Sequence, residues 1–300
     1  MGARNDLPVY HRSLPRFGAG LAALVMTAAL LVAPPGVASA DSTPTPSGRS
    51  TASDPLAAVK QQAKEVGKRI EIERYRSETA TIFANPDGKT FHAEIHSAPI
   101  RVKKDGVWRD IDTTLVEKDG VIVPKVAKGE LALSAGGDTT LISVKNEKGT
   151  AKVLSPARLP EPVLNGNTAT YQDAYGRGVD LVVTAVPTGF HQEIVFRRRP
   201  AGKPRLRVPV RLAKGLSYGK DSSGRPVLLD GKADANARSE GSQATALTPA
   251  LMVDAAAKDN PDAGRTATAA VAVDQNGEAA TLELSLDPRR GIWSEVREMR

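Results

Sequence analysis

No cysteine stands anywhere in the 300 residues. That excludes disulfides, thiol catalysis and a lipid-modified cysteine, so non-covalent forces alone must hold the fold. Aromatics are scarce as well, at 4%, with two Trp, five Tyr and five Phe. A core must therefore be built from Val, Leu, Ile and Ala, and few rings remain for stacking on sugars or bases. The hydrophobic content of 40% is enough for such a core, and the length allows one large β domain or two smaller ones. Chemistry-bearing motifs are missing too. No G-x-S-x-G surrounds Ser134, and there is no phosphate-binding glycine loop and no helical H-E-x-x-H, so these residue types and spacings assign no reaction. Nothing calls for a cofactor. No uninterrupted apolar run reaches the roughly 20 residues that a membrane-spanning helix needs.

What is present begins with a leader. Arg4, Arg12 and Arg16 precede an uncharged, mostly apolar run of sixteen residues from Phe17 to Val32. Pro34-Pro35-Gly36 breaks the run, and Ala38-Ser39-Ala40 is a small-x-small cleavage site. This is the order of a secretory signal, so residues 1–40 read as a signal peptide whose removal leaves no stable membrane span. Residues 41–53 are rich in Ser, Thr, Pro and Gly without a large apolar side chain, and read as a disordered, solvated linker. Asp54 as N-cap and Pro55 at the first helical position predict a helix over 54–68. Its apolar seam is Leu56, Val59, Ala63, Val66 and Ile70, and Gly67 marks its end.

From Arg69 the period changes to two. Short Val-, Ile- and Thr-rich runs alternate with turns such as Asn85-Pro86-Asp87-Gly88 and Lys118-Asp119-Gly120. The strongest hairpin is Val179–Val186 with Phe190–Phe196, around Pro187-Thr188-Gly189. Residues 69–287 are therefore expected to form one domain, loop-rich over 230–270, with a charged tail at 288–300. The fold class is all-β: an antiparallel β-sandwich of many short strands with one N-terminal helix. Along Arg205–Leu212 apolar and basic residues alternate strictly, and Pro209, which cannot donate to a ladder, predicts an edge strand.

Three clusters are candidates for chemistry. His92, Glu94 and His96 share one face of a strand and are a weak candidate for a zinc-like ion. The plain alternative is an exposed polar face. Asp180 and Glu193, on facing strands of the central hairpin, could act as a glycosidase pair, or Asp180 could bond a turn backbone. Ser134 has no partner visible in the sequence. The sharpest charge asymmetry runs from Ile194 to Lys220, with nine basic residues and no acidic one. Arg197, Arg198, Arg199, Lys203, Arg205, Arg207 and Arg211 are its candidate polyanion-binding residues. The plain alternative is an edge protected from aggregation by charge. With no aromatic between Arg197 and Leu216, sequence-specific nucleic-acid binding is not expected.

Several segments in order resemble the N-terminal β-rich region of large secreted actinobacterial surface proteins. They are Phe83-Ala84-Asn85-Pro86-Asp87-Gly88, Pro99-Ile100-Arg101-Val102, Gly106-Val107-Trp108, Ile111-Asp112-Thr113, Leu159-Pro160-Glu161-Pro162, Ala169-Thr170-Tyr171, Gly178-Val179-Asp180-Leu181 and Thr188-Gly189-Phe190. Those proteins often continue into DNRLRE-type, LamG-like or RHS-repeat modules. The resemblance implies an extracellular, wall-associated role with no catalytic residue to carry over, and implies that this chain is the N-terminal part of a larger protein. Leu251-Met252-Val253-Asp254 departs from the family by lacking a Trp, and the end of the chain does not match the expected continuation. The expected function is a non-catalytic secreted module whose partners are an anionic wall polymer or other surface proteins. The alternative is a fragment of a secreted carbohydrate-active enzyme or a carbohydrate-binding module.

Cleavage after Ala40 gives a mature product beginning at Asp41. N-terminal sequencing of the secreted protein should read Asp-Ser-Thr-Pro; a secreted product that retains Met1 would contradict the assignment.

Overall fold

Pro55 begins an α-helix, α1 (Pro55–Val66), which ends where Gly67 turns to φ +68° and its N–H bonds the carbonyl of Ala63. That left-handed position suits a residue without Cβ. The computed structural model describes residues 22–26, 55–146, 149–198, 200, 202–220, 226–230, 245–246, 250–253 and 266–285. The expected N-cap, Asp54, lies outside them. The seam of α1 meets a small cluster: Ala63, Ile72 and Ala84 are buried, with Leu56, Val59, Ile70 and Ile82 packed around them.

Apart from a single 3-10 turn at Glu73–Tyr75, the remaining elements among the described residues are strands, and every pairing between them is antiparallel. β1 is Ala22–Met26. β2 (Ile70–Glu71), β3 (Ala80–Ala84) and β4 (Phe91–Ile95) make a three-stranded sheet in that order. β5 (Arg101–Lys104) and β6 (Val107–Asp110) form a separate hairpin. Then come β7 (Asp112–Lys118), β8 (Val121–Val126), β9 (Glu130–Ser134), β10 (Thr140–Asn146) and β11 (Gly149–Leu154). β12 (Val163–Asn165), β13 (Thr168–Tyr171), β14 (Val179–Val186), β15 (Gly189–Phe196) and β16 (Arg205–Arg211) follow. Last are β17 (Leu216–Lys220), β18 (Pro226–Asp230), β19 (Thr245–Ala246), β20 (Leu251–Val253), β21 (Thr266–Thr268), β22 (Ala270–Asn276) and β23 (Ala279–Ser285).

Two large sheets result. One has the order β12-β13-β14-β15-β1-β20-β21, the other β22-β23-β16-β11-β10-β9-β8-β7, and β17-β18-β19 forms a small third. Turn chemistry fixes the hairpins. Asp105-Gly106 and Asp119-Gly120 each place two successive residues at positive φ, the requirement of a two-residue turn matched to strand twist. In the 85–90 turn, Asp87 accepts N–H bonds from Lys89 and Thr90 and the Thr90 hydroxyl. These donors hold its pKa down at about 2.

One apolar cluster draws from both large sheets. Leu133, Leu141, Ile142 and Leu284 come from one, and Leu181, Val183, Phe190 and Ile194 from the other. Backbone bonds also cross between elements of the two: Leu115 N–H to Gly166 O at 2.8 Å and Lys128 N–H to Pro187 O at 3.0 Å. In the central hairpin Val186 pairs with Gly189, so the connection is the two residues Pro187-Thr188. Leu181, Val183 and Ala185 are fully buried, as period two requires.

One expectation changes, and one pairing lies outside the expected domain. β16 is not an edge strand: β23 flanks it along Arg205–Arg211, and β11 lies on its other side. The bond from Leu212 N–H to Glu278 O sets the alternation, so the nitrogen of Pro209 faces β11. The ladder to β11 covers only Val210 and Arg211 and stops before Pro209. A proline is tolerated inside the sheet because its missing donor falls where pairing ends. Second, Ala22–Met26, within the apolar run of the expected leader, pairs as β1 with both β15 and β20. The sheet thus uses residues from outside the expected 69–287 domain.

Leu181 is the central test of the core. Leu181→Ala should destabilise the protein by about 2–5 kcal/mol in urea unfolding, since deleting a buried side chain leaves a cavity. A change below about 0.5 kcal/mol, as at surface sites, would move the hairpin to the periphery.

Candidate functional site

The basic stretch is built on β16 and the connection that precedes it. Burial alternates along the strand: Leu206, Val208 and Val210 face the core, while Arg205, Arg207 and Arg211 are exposed. β23 lies alongside in register, and its Glu283 pairs with Arg207. Its carboxylate reaches Arg205 at 3.7 Å and Arg207 at 3.4 Å, so one negative charge partly offsets two positive ones. Arg211 differs. Ala279 stands opposite on one side and Lys152 on the other. Among the described residues Arg211 has no carboxylate in ion-pair range.

Arg197 is committed elsewhere. It pairs with Asp173 and lies 3.4 Å from Asp180. Asp180 also accepts the N–H of Asp173 at 2.8 Å. Asp173 accepts the N–H of Gly178 at 2.6 Å, and this bond leads in lowering its pKa, with Arg197 assisting. The turn-bonding reading of Asp180 therefore describes its contacts. Asp180 pairs with Val195 and Val182 with Glu193, so Asp180 and Glu193 are diagonal neighbours on one face. Arg198 and Lys203 are exposed, and Arg199 lies outside the described residues.

His92 and Glu94 stand two apart on β4, with Nε2 and Oε1 3.6 Å apart. His96 lies past the strand end, its N–H donating to Thr79 O. Among the described residues, no group of three or more His, Cys, Asp and Glu side chains is arranged to hold a metal. The Ser134 hydroxyl donates to Asp138 at 2.6 Å and accepts the N–H of Gly136. Burial raises the pKa of Tyr175 to about 12 and that of Tyr218 further, leaving both neutral hydroxyls.

Sequence reasoning missed the most organised charge cluster. Arg76 holds Glu71 with two bonds of 2.8 Å. Arg101, buried at the start of β5, adds a contact to Glu71 at 3.4 Å and donates to the Thr81 hydroxyl at 2.6 Å. Lys128, before β9, pairs with Glu78. Apart from Glu71 and Arg76, five positions apart, these contacts join residues 20 to 50 positions apart, so no local spacing announces them. The neighbouring pair Arg101-Val102, both buried, breaks the alternation that a sequence reading assumes.

The chain matches no family model, no curated protein and no solved structure.

Arg76's bonds lead in pulling the pKa of Glu71 below its ordinary 4.5, against desolvation. A depressed folded pKa means stability that is present above the unfolded value and lost as pH falls through the folded one. Urea unfolding followed from about pH 5 downward should show this loss, and Glu71→Gln should remove that part of the acid sensitivity while lowering stability at neutral pH. An unchanged pH profile in Glu71→Gln would contradict it.

Proposed function

We propose that the chain is a non-catalytic module of the cell surface, secreted and held against an anionic wall polymer by the outer face of β16 and β11. On this reading the two large sheets stack as a sandwich and carry that face, and the module stands in a larger surface protein, as the resemblance implies. One observation carries the proposal. Arg211 and Lys152 stand side by side in register on neighbouring strands, with no carboxylate among the described residues between them, and the other side of β16 is core. Exposed Arg205 and Arg207 extend the field, moderated by Glu283. A polymer with repeating negative charge gains from such a row by releasing counterions, a force that needs no base or sugar reading. That suits a chain with 4% aromatics.

Co-sedimentation with purified cell wall tests this. Arg211→Ser/Lys152→Ser should weaken binding more than Arg205→Ser/Arg207→Ser, because Glu283 already offsets the second pair. Glu283→Gln should strengthen binding. Binding should weaken as salt rises from about 50 to 200 mM, and the Arg211/Lys152 double variant should flatten the log–log slope by about one to two units. Equal binding by all variants, or binding indifferent to salt, would overturn the proposal.

A further inference from the structure

The unabsorbed motif is Phe91-His92-Ala93-Glu94-Ile95, which is β4. Among the described residues this strand pairs only with β3 and ends its sheet. Two hydrogen bonds reveal which way its backbone points. Asn85 N–H bonds Thr90 O at 3.0 Å, and His96 N–H bonds Thr79 O at 2.9 Å. Antiparallel ladders alternate bonded and non-bonded pairs, so the bonded pairs between these two are Phe83 with His92 and Thr81 with Glu94. The N–H and C=O groups of Phe91, Ala93 and Ile95 therefore point outward, away from β3. Their side chains share the face on which α1 packs, with Lys60 Nζ 4.5 Å over the Phe91 ring, yet Phe91 stays 44% exposed and Ile95 77%. The strand carries no Pro, no Lys and no bulge; its only charged side chain, Glu94, lies on the face opposite Phe91 and Ile95.

We propose that this edge is a self-association site at which two copies pair antiparallel about a two-fold axis through Ala93. The sequence of the strand is complementary to its own reverse. About that axis Ala93 meets Ala93 of the second copy, and Phe91 meets Ile95. These are the outward-pointing residues, so each becomes a hydrogen-bonded pair. On the other face His92 meets Glu94 in the closer, non-bonded pairs, where side-chain contact is strongest. Each His92 then lies between its own Glu94, already 3.6 Å away, and that of the second copy. An unrelated strand would have to reproduce this order of apolar, basic, small, acidic and apolar residues in reverse, which a second copy does by symmetry. A two-fold interface uses the same patch twice and closes, so the product is a dimer rather than a fibre.

Sedimentation velocity of the full chain over a concentration series tests the proposal, with variants chosen to spare the fold. Ala93→Pro removes only an outward N–H and leaves the β3–β4 ladder intact. It should abolish the dimer without moving the unfolding midpoint. His92→Glu sets acid against acid and should weaken association several-fold, and His92→Glu/Glu94→Lys should restore it. The chain has no cysteine, so A93C gives an independent reading. Paired copies bring these Cα atoms to about 5.5 Å, within disulfide range. A93C should cross-link on mild oxidation far faster than V107C, at another exposed strand position. A protein monomeric at every concentration, a dimer indifferent to Ala93→Pro, or equal cross-linking of A93C and V107C would overturn the proposal.

Discussion

The hydroxyl of Tyr171 lies inside an apolar core and must find a partner there, because an unpaired buried polar group costs about 1–3 kcal/mol. It donates to the carbonyl of Ser134 at 2.7 Å, joining β13 of one large sheet to the end of β9 in the other. Burial leads in raising its pKa, so it remains a donor at any physiological pH. The accepting loop is itself tied down. Ser134 donates to Asp138, and the N–H groups of Gly137 and Leu159 bond Leu159 O and Asp138 O. Gly136, at φ +100°, runs so close to the next segment that a Cβ there would sit 2.8 Å from the backbone of Glu161. The relative position of the two sheets thus depends on a ring with a polar tip and on a glycine that allows two backbones to touch.

Much of this architecture was legible. Period-two alternation located β9, β16 and the central hairpin within a residue or two, since each has one face against the core. The Asp-Gly turns and the 85–90 turn were readable because their backbone angles demand particular residues. The order of strands was not. Pro209 announced an edge, yet it sits inside the sheet order just where the ladder to β11 stops, and only the register reveals that. The same holds for the candidate sites. A run of basic residues is visible in one dimension, but Asp173, Asp180 and Glu283, which offset part of it, arrive from other strands.

The N-terminal part compensates for a small core with charge. Beneath α1, among the described residues, Ala63, Ile72 and Ala84 form the buried apolar nucleus. The Glu71, Arg76 and Arg101 cluster adds directional bonds there. Lys128 ties Glu78 to the strands that follow, and its own N–H bonds the tip of the central hairpin. Removing Glu71 would leave the buried Arg101 with only the Thr81 hydroxyl among its cited contacts, so such a cluster penalises alternative arrangements as well as stabilising this one.

β1 imposes a different kind of limit. The residues that pair with β15 and β20 belong to the apolar run that reads as an export leader. The ladder commits the backbone of Ala22–Met26 to a neighbour on each side. In the order β14-β15-β1-β20-β21, taking β1 away would leave a gap one strand wide between β15 and β20. The fate of five residues near the start of the chain therefore decides whether seven strands remain one sheet.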